Sequence, residues 1–141
     1  MFICKIPGQP VPRGRPRMVL INGRPRAYTP KPSAVWEAIA STLMRSLYRG
    51  APITDPVSVT ITSVYKRPKR LMRKSDPDTR LWKPTRGDVD NECKAALDAL
   101  VKAGILKDDA LVVVLTGYSM YTGKTEEAHV RVEVHRVGPV P

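Results

Sequence analysis

The chain has 141 residues, the length of one ordinary domain and enough to bury a core without metal or disulfide staples. Hydrophobic residues make up 42% and charged residues 26%, a globular composition rather than a disordered one, and no apolar run approaches the roughly 18 residues of a membrane span. Lys and Arg number 24 against 13 Asp and Glu, a net charge of +11, which is more one-sided than solubility needs and is a usual footprint of nucleic-acid binding.

In chain order, Phe2 to Ile6 reads as a short strand, too brief an apolar run for a signal peptide. Residues 7–31 are rich in Pro, Gly and Arg, with turn signals at Pro7-Gly8 and Asn22-Gly23, and predict a long loop or hairpin. From Ser33 to Arg49 the residues Val35, Trp36, Ile39, Ala40, Leu43, Met44 and Leu47 recur at helical spacing, with Ser33 as N-cap and Gly50 as stop. Val57, Val59 and Ile61 alternate with polar residues as a half-buried strand. A second loop spans Lys66 to Gly87. A second helix follows from Asn91 to Ala103, with Cys93, Ala96, Leu97, Leu100 and Val101 as its apolar stripe and Gly104 just past its end. Leu111 to Leu115 is apolar on both faces and is expected at the centre of a sheet. Val130, Val132 and Val134 alternate with His129, Arg131, Glu133 and His135 in a last strand with one wet face. The order β-α-β-α-β-β predicts one α/β (α+β) domain over 1–141, a mixed sheet packed with two helices.

The charge is segregated along this framework. Residues 8–31 carry six bases and no acid, and residues 66–86 carry nine bases against two acids. Residues 88–109 reverse the sign, with six acids against three bases. The basic segments predict a DNA path over Arg13, Arg15, Arg17, Lys31, Lys69, Arg70, Arg73, Lys83 and Arg86. An acidic cluster on such a protein repels phosphate unless a cation neutralises it, which points to a metal-dependent enzyme.

Asp88 and Asp90, two apart, project to one side of an extended backbone, and Asp108-Asp109 lies beyond the other end of the same helix. A strand beside that helix could carry Asp109 back towards Asp88 and Asp90, giving three hard oxygen donors for Mg²⁺. Against this stands a plainer reading, in which Asp90 or Asn91 caps the helix and Asp108-Asp109 is a solvated turn. Lys94, four residues after Asp90, either forms an ordinary helical ion pair or contacts a phosphate. Asp98 reads as a surface or supporting group.

The segment Asp88-Val89-Asp90-Asn91-Glu92-Cys93-Lys94-Ala95-Ala96-Leu97-Asp98-Ala99-Leu100, continuing through Gly104 to Asp108-Asp109, resembles the RusA family of Holliday-junction resolvases. Lys83-Pro84, Arg15-Pro16-Arg17-Met18, Tyr28 to Lys31 and Trp36 extend the likeness over most of the chain. The resemblance implies a homodimeric, Mg²⁺-dependent crossover junction endodeoxyribonuclease, with Mn²⁺ as a substitute ion. Its acidic triad falls on Asp88, Asp90 and Asp109 and its catalytic lysine on Lys94, with paired, religatable nicks as the outcome. Resolving a four-way junction needs two symmetry-related cuts, which a C2 dimer supplies. A nuclease acting on forks or flaps and a non-catalytic nucleic-acid-binding protein are the other function classes compatible with the charge.

Cys4 and Cys93 form no CxxC pair, which excludes a Cys-rich zinc site and leaves a reduced, cytoplasmic setting as the expectation. Gly123-Lys124-Thr125 follows Gly117 at the wrong spacing for a phosphate-binding loop and reads as a hairpin turn. Neither a nucleotide cofactor nor a membrane partner is expected. Cys93 faces the core and is no nucleophile, and His129 and His135 read as surface residues. Trp82 and Tyr28 sit in basic loops, either to stack on unpaired bases or to anchor packing.

Overall fold

Phe2, Cys4 and Ile6 are buried while Ile3 and Lys5 face outward, so the alternation of the first residues builds strand β1 (Phe2–Pro7) with a single core face. The computed structural model describes residues 1–84 and 89–141. Asn22 and Gly23 both take positive φ, the conformation of a tight two-residue turn. They close a hairpin of β2 (Arg17–Ile21) and β3 (Arg24–Tyr28) inside the first basic segment. Helix α1 (Lys31–Leu47), strand β4 (Val57–Tyr65), the two-residue strand β5 (Leu81–Trp82), helix α2 (Val89–Lys102), strand β6 (Val112–Tyr121) and strand β7 (His129–Arg136) complete the chain.

The expected α+β class is observed: a five-stranded mixed sheet ordered β1-β7-β4-β6-β5, a separate two-stranded hairpin and two helices. The central strand is β4, parallel to β6 and antiparallel to β7. Both helices pack on one face of the sheet and on each other. Val57, Val59, Ile61, Val130, Val132 and Val134 meet Trp36, Met44, Ala96 and Leu100 in the core between them. Gly117 sets how closely α2 approaches. A Cβ placed there would come within 2.6 Å of Cys93 Sγ and 2.9 Å of a Val89 methyl. Gly104 closes α2 as expected. It has φ +77, its N–H donates to Val101 O, and Ile105 N–H donates to Leu100 O, the pairing of a Schellman motif.

Several local expectations are corrected. Helix α1 begins at Lys31, and Ser33 is a buried tether inside it. Its Oγ accepts from Gly14 N–H at 2.9 Å, so it holds the first basic segment instead of capping the helix. Val35, Ile39 and Leu47 are exposed, while Ser41 takes a core position. Strand β6 is not central. Among the described residues only β5 lies beyond it, paired at Tyr121 and Met120, with Lys83 N–H donating to Ser119 O at 3.2 Å. The Gly123-Lys124-Thr125 loop is not a hairpin turn, because β4 lies between β6 and β7. It is a crossover loop, fixed by Lys124 N–H to Asp78 O and by the Arg80–Glu126 ion pair at 2.6 Å. His129 is buried rather than wet, with Nδ1 2.9 Å from Glu127 O.

Candidate active site and nucleic-acid surface

Helix α2 presents the acidic segment. Asp90, Lys94 and Asp98 follow at four-residue intervals and so share one face of the helix. Asp90 and Lys94 are exposed, at the first turn and the one after it. Asp88 and Arg86 lie outside the described residues.

Asp109 opens a short 3-10 turn (Asp109–Leu111) directly before β6, and the preceding Asp108 caps it by accepting from Ala110 N–H at 2.8 Å. The bond from Ala110 N–H is the main cause that holds Asp108 below the usual carboxylate range, and the neighbouring Asp108 carboxyl is the main cause that raises Asp109. The charge of Asp98 raises Asp109 further. Asp109 and Asp98 line one open cleft together with Arg13, Thr29, Glu37 and Lys107. The structure therefore brings Asp109 to Asp98, eight residues or about 12 Å along α2 from Asp90. Among the described residues no three His, Cys, Asp or Glu side chains converge as a metal site.

The first basic segment is fastened along this acidic face. Arg13 N–H donates to Asn91 O at 3.0 Å, and Arg13 Nη1 donates to Asp98 Oδ2 at 2.6 Å. Arg13 is thus committed to α2, while Arg15, Arg17 and Lys31 are exposed. Opposite residues of the hairpin share a face, so its register sorts the side chains. Arg17, Val19 and Ile21 lie on one face with Tyr28, Arg26 and Arg24, and Met18, Leu20, Pro25 and Ala27 on the other. Arg24 and Arg26 join Arg17 on one basic face, a grouping visible in the sequence only once strand alternation is read out from the Asn22-Gly23 turn.

In the second basic segment Lys69, Arg70 and Arg73 are exposed. Arg73 pairs with Asp76 at 3.5 Å. Lys83 Nζ sits 4.4 Å from the centre of the Tyr65 ring. Trp82 is exposed and stacks on Tyr118 with centroids 6.3 Å apart.

Two structural residues were not foreseen. Arg67 is buried and donates to four backbone carbonyls, of Thr122, Leu71, Pro77 and Thr79. It organises the second basic loop from inside, and nothing in the sequence separates it from its exposed neighbours. Glu92 is buried beneath α2. Its Oε1 accepts from Tyr65 Oη at 2.7 Å and Ser119 Oγ at 3.0 Å. Burial raises its carboxyl, against the lowering effect of those hydrogen bonds and of the Lys83 charge. The available signal was the small Ala95 and Ala99 beside it, which mark the flank of α2 that faces the sheet. Cys93 is buried as expected, and burial pushes its thiol up to about 11, which suits packing and not nucleophilic attack.

A mixed α+β sheet that anchors an acid-free basic segment to a helix bearing the exposed Asp90 and Lys94 has the features of a nucleic-acid-processing protein. The family model described as "Endodeoxyribonuclease RusA" matches residues 7–135, and the chain belongs to that family. It is also 32% identical over 135 residues to the "Uncharacterized protein YqaN" of Bacillus subtilis (strain 168), an alignment covering 92% of each chain. Among the described residues no helix is long and apolar enough to cross a membrane.

Proposed function

We propose that the protein is a metal-dependent endonuclease that resolves four-way DNA junctions by paired symmetric nicks. The observation that carries this reading is the fastening of the first basic segment to α2 through Arg13, Asn91 and Asp98. It anchors the acid-free basic segment to the first turns of α2, which carry the exposed Asp90 and Lys94. Membership in an endodeoxyribonuclease family supports it.

In this reading Asp88, Asp90 and Asp109 hold Mg²⁺, or Mn²⁺ in its place. Asp90 and Asp109 are exposed oxygen donors of the type Mg²⁺ takes, but Asp109 lies beside Asp98, about 12 Å along α2 from Asp90, so one ion held by both needs them brought closer together than they stand here. Bound there, the ion supplies charge neutralisation and an acidified water. Lys94, on the same helix face, donates to the phosphate oxygen on which charge builds. Arg17, Arg24, Arg26 and the exposed bases of the second loop bind the backbone and fix register without reading sequence.

The test compares a synthetic four-way junction, a fork and a matched duplex, each with Mg²⁺ and with a chelator. Junction cleavage that needs the ion, exceeds fork cleavage and vanishes in Asp90→Asn with binding retained is the expected outcome. Equal cutting of forks would favour a broader branched-DNA nuclease. No ion-dependent cutting of any substrate would leave a binding protein.

A further inference from the structure

Trp82 takes no part in the chemistry above. It is 68% exposed, more than any other aromatic residue among those described, and so is too open to serve as a packing anchor. Yet the ring is held in place. Trp82 pairs with Met120 in the β5–β6 ladder, and the next residue, Lys83, donates its N–H to Ser119 O at 3.2 Å. Tyr118 is 40% exposed and stacks on the indole, with ring centroids 6.3 Å apart and planes 25° apart. Tyr118 and Met120 are two apart and Trp82 lies opposite Met120, so all three project from one face of the sheet. The result is a fixed aromatic surface with most of the indole left in solvent.

Positive charge lies in the segment that leads to it. Arg67 donates to the carbonyls of Leu71, Pro77 and Thr79 and to that of Thr122, just past the end of β6. The loop pinned in this way carries the exposed Lys69, Arg70 and Arg73. Across the sheet from the aromatic pair is the first turn of α2. Gly117 and Ser119, on either side of Tyr118, meet Val89 and Glu92.

We propose that Trp82, backed by Tyr118, is a stacking platform for an unpaired nucleobase at the branch point of DNA. Cations that follow the backbone, combined with aromatic faces that take bases, are how proteins hold unpaired nucleic acid without reading its sequence. Bases inside a continuous duplex have both faces covered by their neighbours, whereas a branch point is where a base can leave the stack. The inference rests on the function proposed above and deepens it. The basic loops bind any arm through its phosphates, and the platform adds affinity only where the helix is interrupted.

The tests read binding in the presence of chelator, with a four-way junction and a matched duplex bearing the same ends. The chain has two tryptophans, and Trp36 is buried, so acrylamide quenching of the wild-type fluorescence reports on Trp82. Junction is expected to protect the indole and duplex to leave it accessible. This measurement uses the unaltered chain and decides the matter even if a variant misfolds. Trp82→Ala, checked for folding by circular dichroism, should weaken junction binding about tenfold or more. Duplex binding and the salt slope should stay unchanged, because no phosphate contact is lost. Trp82→Phe keeps a ring and should recover most of the affinity. 2-Aminopurine at the branch point should be quenched by the wild type more than by Trp82→Ala, with no such difference for the same probe in mid-arm. An indole equally accessible with and without junction, or equal losses of junction and duplex binding in Trp82→Ala, would overturn the platform. So would protection that follows protein concentration without DNA, which would assign the ring to contact between protein copies. No readout involves cleavage, so a protein that stacks a branch-point base and never cuts would sink the nuclease and leave the platform standing.

Discussion

Lys94 stands on an exposed helix face between Asp90 and Asp98, where a simple ion pair and a phosphate contact make opposite predictions. An ion pair on an open helix contributes a few tenths of a kcal/mol and nothing to turnover. A contact made only as charge develops lowers kcat and kcat/KM together. Lys94→Ala, assayed at saturating junction, is expected to lose about 10²–10³ in kcat, and an unchanged kcat would reduce Lys94 to the ion pair. Glu92 carries a different prediction. Glu92→Ala strands Tyr65 Oη and Ser119 Oγ, and each orphaned donor costs about 1–3 kcal/mol. Glu92→Gln keeps an acceptor and removes a carboxyl that burial already pushes towards neutrality, so its denaturant midpoint should stay near wild type. Equal losses in the two variants would mean that the charge of Glu92, facing Lys83, is what the fold requires. The Asp-x-Asp-Asn run, Lys94 and Asp108-Asp109 stand out in the sequence because their spacing is a motif, and their catalytic roles are part of the proposal. Glu92 and Arg67 were not, because an acid or base in a charged stretch carries no mark of burial until the packing is known.

At the scale of elements, the hairpin β2–β3 is two-faced, and the register of its strands decides which arginines act together. The sequence grouped Arg13, Arg15 and Arg17 by proximity, whereas folding diverts Arg13 to Asp98 and gathers Arg17, Arg24 and Arg26 on one face. Replacing those three by alanine should reduce the salt slope of log K for junction binding by about 3, near 0.9 for each lost phosphate contact. Kcat at saturating DNA should suffer less. A salt titration showing an unaltered slope would take the hairpin off the DNA. Strands and helices were legible from periodicity, the Schellman end at Gly104 from its glycine, and the Asn22-Gly23 hairpin from its turn. The position of β6 was not. Its two apolar faces suggested a central strand, but β4 holds that place and, among the described residues, β6 is flanked on its other side only by the short β5 and Lys83. Likewise Val35, Ile39 and Leu47 match the helical period of α1 but fall outside the narrower stripe that meets the sheet.

For the whole molecule, the segregation of charge seen along the chain survives folding. The basic segments are the hairpin and the loop organised by Arg67, the acids lie along α2 and at the turn before β6, and the longest charge-free run contains strand β6. In the proposed reading, phosphate and cation take separate places on a small domain. Paired cutting is the central claim of the proposed function, and it is tested most directly on a supercoiled plasmid bearing a cruciform, incubated with the pure protein and Mg²⁺. Two symmetric nicks made within the lifetime of one complex convert the plasmid to a linear form whose junction ends can be religated. The linear product is the expected result, absent with chelator and with Asp90→Asn. Nicked circles alone, or plasmid left intact in the presence of the ion, would contradict it.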